Sequence, residues 1–166
     1  NNTLEYKNFL KIYKKLQVSW PQGKKIFIKT KKIEKKVKKI FFIGTNEIWH
    51  GFYPYLNSKT SPIYKSHLDV LYDLSEKKKI FTELEIYYKP HPKDRIFPKY
   101  RKLIPKNIII VENVNAYEQI KKSDLIITIC SSLACDALIE KKPLLILGKF
   151  ELSNKNICYE LKNKNS

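Results

Sequence analysis

Five apolar runs do most to restrict what this chain can fold into: 40–43 (IFFI), 84–88 (LEIYY), 108–111 (IIIV), 125–129 (LIITI) and 144–147 (LLIL). Each is too short for a buried helix and rich in β-branched or aromatic residues. Their apolar positions run on without regular alternation, the pattern of strands covered on both faces. Helical signals fill the gaps. Ser61-Pro62 offers a cap and a first-turn proline, followed by Tyr64, Leu68, Leu71 and Tyr72 on one face until the lysines at 77–79. Asn115 with Glu118 predicts a capped helix ending near Lys122, and Ser132 opens another that runs to about Lys141. Strand and helix taking turns argues for the α/β class: a Rossmann-like parallel sheet with helices on both faces.

Ahead of the first run, residues 4–20 put Tyr6, Phe9, Leu10, Tyr13, Leu16 and Trp20 on one helical stripe, with Ser19-Trp20-Pro21 as its stop. The lysine-dense stretch 24–39 reads as a linker or exposed edge. We therefore expect a basic helix and linker over 1–38 and the α/β domain over 39–166. With 166 residues, 43% of them apolar, the chain can bury the core of one such domain. It has no methionine, not even at position 1, which reads as a processed chain or, by preference, a piece of a longer polypeptide.

In open parallel sheets ligands bind beyond the carboxyl ends of the strands, where the strand order reverses. The residues with chemistry to offer fall at those ends. Gly44-Thr45-Asn46 follows the first run, Pro90-His91-Pro92 the second, Asn113 the third, Cys130-Ser131-Ser132 the fourth and Gly148 the fifth. In "YYKPHPKDR" (87–95) the two prolines fix their own φ and push Lys89 and His91 toward extended backbone. An imidazole preset among Lys89, Lys93 and Arg95 suits a departing phosphate, although a lone histidine at a strand end also serves as a plain hydrogen-bonding loop residue. Ser131 and Ser132 stand where a strand turns into a helix, so their hydroxyls and the first-turn amides can meet an anion. Asp136, four residues on, could take the hydroxyls of an adjoining ribose. The plainer alternative makes Ser132 an N-cap and Asp136 its answer to the helix dipole. Gly44 reads equally as a turn glycine or as a place where backbone approaches a ligand.

The sequence also excludes. It has no GxGxxG and no Walker A loop, with four glycines in all. Ser131 is not in a GxSxG elbow. His50, His67 and His91 lack metal-ligand spacing, so we expect no metal. Cys130, Cys135 and Cys158 lack zinc spacing and read as reduced thiols of a cytosolic protein, and no cofactor is called for. No apolar run reaches the roughly 18 to 20 residues of a membrane span. The balance of 33 basic and 16 acidic residues, a net +17, favours anionic partners.

"YYKPHPKDR", followed about 40 residues later by "SDLIITICSSLACDALIEKKPLLILGKFELSNKNICYEL", resembles the C-terminal half of bacterial capsule polysaccharide biosynthesis glycosyltransferases. Those enzymes, like the related Kdo-, sialyl- and polysialyltransferases, have a His-Pro motif and a Ser-Ser or Ser-Thr motif in the nucleotide-binding half of a two-domain GT-B architecture. The likeness extends over roughly residues 39 to 162. It implies that His91 and Pro92 contact the donor phosphate and help the nucleotide leave, and that Ser131 and Ser132 hold the same phosphate. Asp136 falls where many relatives have glutamate. Lys141-Lys142-Pro143 replaces a usual Gly-Lys-Pro turn. The acidic residue that activates the acceptor lies in an N-terminal domain of the relatives, for which residues 1–38 have no room.

The resemblance thus implies the donor-binding half of a glycosyltransferase that moves a sugar, by preference a CMP-linked acidic one, from its nucleotide to a capsular or surface polysaccharide or glycolipid. His91 and Lys89 would neutralise the leaving phosphate. Gly44, Thr45, Asn46, Pro92, Arg95, Ser131, Ser132 and Asp136 would bind the donor. Cationic and hydroxyl donors make a metal unnecessary. The enzyme would be cytoplasmic. The basic stripe of its N-terminal helix suits either an anionic inner-membrane surface or packing on its own domain. Two rivals are a transferase using a CDP-linked polyol and a basic nucleic-acid-binding module, the latter disfavoured because the lysines are spread along the chain.

Overall fold

The computed structural model describes residues 36–49, 60–149 and 151–161. The helix expected at 4–20 and its linker lie almost wholly outside these. Among the described residues, six parallel strands form one sheet in the order β3-β2-β1-β4-β5-β6. They are β1 (Lys39–Ile43), β2 (Glu85–Lys89), β3 (Ile109–Ile110), β4 (Leu125–Thr128), β5 (Leu144–Ile146) and β6 (Tyr159–Glu160). All five apolar runs became strands. The sixth is two residues long, with Tyr159 exposed, and leaves no comparable mark in the sequence.

The helices are α1 (His67–Ile80), α2 (Phe97–Tyr100) with a 3-10 turn over Arg101–Leu103, α3 (Ala116–Lys122) and α4 (Ala134–Ile139). Strand β1 sits in the middle and divides its side chains between two cores. Ile40 and Phe42 pack with Val70, Leu71, Ile86, Tyr88, Phe97 and Ile127 on one face. Phe41 and Ile43 pack with Ile120, Ile126, Ala134, Leu138 and Ile146 on the other. Burial on both sides is why β1 is an unbroken apolar run, and why both faces must be covered by helices.

Two helix starts differ from the sequence reading. Ser66, not Ser61, caps α1: its hydroxyl accepts the Asp69 N–H at 3.1 Å. The Ser61 hydroxyl is committed elsewhere, donating to the Leu147 carbonyl at 2.7 Å while accepting the Tyr64 N–H at 3.1 Å, so Pro62 belongs to a turn laid across the end of β5. Helix α4 begins at Ala134, two residues later than expected, and is only six residues long. Asn115 does cap α3, its Oδ1 accepting the N–H groups of Tyr117 and Glu118, but Glu118 turns outward to Lys121 instead of back to the cap.

The chain runs from β1 out to β3, then crosses back beneath the sheet to place β4 on the other side of β1. The strand order reverses there, between β1 and β4, so the carboxyl ends of these two strands open the crevice in which such sheets bind ligands. Ile43 is level with Lys89 of β2 and with Thr128 of β4. The His-Pro loop and the Cys-Ser-Ser loop therefore leave the sheet at one height, on either side of β1.

Candidate functional site

The loop after β1 is the hub of this rim. The Gly44 N–H donates to the Lys89 carbonyl at 2.9 Å, and a Cβ at position 44 would lie 3.1 Å from that oxygen and from the Tyr88 hydroxyl. A glycine here lets β1 and β2 stay paired one residue past their ends. Thr45 is buried, and its hydroxyl lies 3.1 Å from Nε2 of His67. Asn46 is buried too. Its amide donates to the Lys93 carbonyl at 3.0 Å, and its Oδ1 accepts the N–H groups of Ile48 and Trp49. This short segment thus grips the His-Pro loop through Asn46.

In the His-Pro loop, Nδ1 of His91 accepts the Lys93 N–H at 3.1 Å. A backbone N–H can only donate, so the neutral ring carries its proton on Nε2. Partial burial holds the imidazole below its usual pKa, with Asp94 opposing and Lys93 assisting, so the neutral donor form prevails at physiological pH. The indole of Trp49, 68% exposed, lies 6.0 Å from the His91 ring. Pro92 and Arg95 are exposed. The Lys89 ammonium donates to the Glu112 carbonyl at 2.7 Å, which ties β2 to the loop after β3. Burial lowers its pKa despite the neighbouring Glu112.

On the other side of β1, the Thr128 hydroxyl donates to the Ile43 carbonyl at 2.9 Å and accepts the Ser131 N–H at 3.1 Å. That relay fixes Ser131 against the end of the central strand. Ser131 is nearly buried, its Oγ 3.4 Å from the Leu133 N–H, whereas Ser132 is exposed. Asp136 is 4% exposed on α4, and its charge bears on Tyr117 of α3, whose hydroxyl donates to Glu140. Gly148 closes this end. A Cβ there would come within 2.7 Å of the Ile129 side chain and 2.8 Å of the Thr60 carbonyl.

Beneath the rim lies a buried polar cluster that spacing in the sequence did not reveal. Glu47, His67 and Asp94 bring ligand-type atoms within 4.8 Å of one another, with Tyr88 and Tyr100 between them. The set resembles a metal centre, but its protons argue otherwise. The Thr45 N–H donates to Nε2 of His67 at 3.1 Å, so the ring proton is on Nδ1, the nitrogen that faces Glu47 at 3.4 Å and Tyr88 at 3.2 Å. A cation would need that nitrogen's lone pair. The arrangement is a hydrogen-bonded network in which burial pushes the Glu47 carboxyl up to about 7, against the lowering effect of the His67 N–H, and raises Asp94 as well.

The model of a family described as capsule polysaccharide biosynthesis protein matches residues 2–161. Among solved structures, the beta Kdo 2,7 transferase of KpsC from Thermosulfurimonas dismutans superimposes with a TM-score of 0.60 at 20% identity, over 97% of this chain and 47% of that one. The beta Kdo 2,4 transferase of the same protein gives a TM-score of 0.61 at 14% identity, over 97% and 49%. The chain thus spans about half the length of the structures it resembles, and at these identities the likeness is one of fold. No curated protein sequence matches it.

Proposed function

The chain belongs to the capsule polysaccharide biosynthesis protein family, and from that premise we propose that residues 39–166 form the donor-binding half of a GT-B glycosyltransferase. It would take a nucleotide-sugar, by preference a CMP-linked acidic sugar, and pass the sugar to a capsular polysaccharide or glycolipid acceptor at the cytoplasmic side of the membrane. One observation carries this reading. The His91 loop is hydrogen-bonded to Asn46 just after β1, and the Ser131–Ser132 loop is tied through Thr128 to Ile43 at the end of β1, at the point where the strand order reverses.

Strands in a sheet stand about 4.8 Å apart, so β2 and β4 flank β1 at a separation of about 10 Å. A phosphate seated beyond Ile43 could then be reached by one side chain from each side. His91 offers its Nε2–H. In this reading Ser131 and Ser132 would offer their hydroxyls from the β4 side, Gly44, Thr45 and Asn46 would form the floor, and Asp136, buried on α4, would meet the ribose only from beneath. When the bond between the anomeric carbon and the phosphate oxygen breaks, negative charge collects on the phosphate. Donors already held in place stabilise that charge at no reorganisation cost. Lys89, Arg95 and Pro92 complete the His-Pro side, and the net charge of +17 favours an anionic donor over a neutral one.

Titration with CMP, UDP, GDP and a CDP-linked polyol, followed through the amide signals of His91 and Ser131, tests the reading. Shifts with CMP at both residues support it. Silence with all four defeats it, and a response to the polyol nucleotide alone turns the assignment toward a polyol-phosphate transferase.

A further inference from the structure

The buried cluster below the rim is a directed chain of hydrogen-bond donors. Because the Thr45 N–H occupies Nε2 of His67, the ring must donate from Nδ1, and the nearest acceptor is the Tyr88 hydroxyl at 3.2 Å. Tyr88 and Tyr100 share a hydrogen bond of 2.8 Å, and the Tyr100 hydroxyl donates to Oδ2 of Asp94 at 3.3 Å. Every donor then has one acceptor, and the series runs from the backbone of the β1 loop to a carboxylate inside the His-Pro loop. Asp94 in turn holds that loop from within: its N–H donates to the His91 carbonyl at 2.9 Å, and its Oδ1 accepts the Ile96 N–H at 3.1 Å. Glu47 seals the other side by accepting the His67 backbone N–H at 2.5 Å.

We propose that His67 is a positioning residue of the candidate site, its neutral ring fixing the loop after β1 and the His-Pro loop in one mutual arrangement that holds His91 at the crevice. A fully buried imidazole is costly unless every polar atom is satisfied. Here the satisfaction is achieved only by joining two rim loops to a helix start and a strand. Among the described residues, those that face the ring include Thr45 and Glu47 from the β1 loop, Phe42 from β1, Tyr88 from β2, and Tyr100 from α2 with Asp94 behind it. A second proton on His67 would point at the Thr45 N–H and break the series.

The test compares His67→Gln, whose amide oxygen can still accept the Thr45 N–H, with His67→Leu, which cannot. Both lose the edge contact with Phe42 and are expected to melt earlier by similar amounts. In the uncomplexed protein, the Thr45 amide and His91 imidazole signals stay near their wild-type positions in the Gln variant and move in the Leu variant. CMP affinity falls no more than about threefold for Gln and about tenfold or more for Leu, the scale of one lost hydrogen bond. Tyr100→Phe keeps the ring but cuts the last link, and moves the His91 signals in a protein that remains folded. His91 signals unmoved in Leu and Phe variants, or changes that merely track melting temperature, would overturn the inference. The affinity arm rests on the nucleotide reading proposed above. A wild-type protein indifferent to CMP, UDP, GDP and the CDP-linked polyol would sink that reading alone, and the imidazole signals would still decide the role of His67.

Discussion

Nδ1 of His91 accepts the backbone N–H of Lys93 over 3.1 Å, and this one contact decides which ring nitrogen can serve a ligand. With Nδ1 engaged inside its own loop, Nε2 is the donor. His91→Ala is expected to lower sugar transfer by the intact enzyme by about a hundredfold or more, the usual effect of deleting one donor to a developing oxyanion. His91→Gln, with an amide N–H near the position of Nε2, should recover part of that loss. The check is steady-state kinetics of the three proteins at saturating acceptor.

Glu47 gives a pH signature of known sign. Its carboxyl titrates near 7 in the folded state and near 4.5 when unfolded, so between these values the folded chain holds a proton that the unfolded chain has lost. Stability therefore falls as pH rises from about 4.5 to 7, by an amount on the order of 3 kcal/mol, and levels off above. Raised Asp94 acts in the same direction, while His91, held low, acts against it. Urea unfolding of the wild type and of Glu47→Gln at a series of pH values is the measurement. The Gln variant should show a flatter dependence.

Lys141 occupies the left-handed region with φ of 54°, just past the end of α4, where a glycine would have no steric cost. Lys141→Gly is expected to stabilise the fold by about 1 kcal/mol, as relief of the strained backbone outweighs the added freedom of the unfolded chain. A rise in the denaturation midpoint without change of slope confirms it. A fall would mean that the lysine side chain contributes more than its backbone costs.

Trp49 can serve as an optical reporter. The chain has two tryptophans, so Trp20→Phe leaves a single indole, exposed and 6.0 Å from the His91 ring. A ligand seated at His91 should displace water from that indole and shift its emission to shorter wavelength. Emission that stays unchanged while CMP saturates the protein by calorimetry would show that the ligand sits away from the His-Pro loop.

Sequence reasoning located the sheet because burial on both faces leaves a continuous apolar stretch, as Phe41 and Phe42 show by facing opposite cores. It located the rim because strand ends in a parallel sheet are fixed by the same runs. Ser61 misled because its proline imitates a helix start, while its hydroxyl in fact reaches Leu147, 86 positions away. The Glu47–His67–Asp94 cluster stayed hidden for the same reason: its members come from separate segments and meet only once β1, β2 and α1 are assembled. A mild clue was present in Tyr88, a residue with a polar tip placed where the middle of a strand is fully buried and in need of a partner.

The return of the chain from β3 to β4 has a consequence for cleavage. A protease cutting the exposed stretch 112–115 would yield one piece with β1 to β3 and the His-Pro loop, and another with β4 to β6 and the serine pair. Neither fragment alone would hold both lips of the crevice. Complementation would have to proceed through the β1–β4 seam, re-forming the site and the sheet in a single act of association.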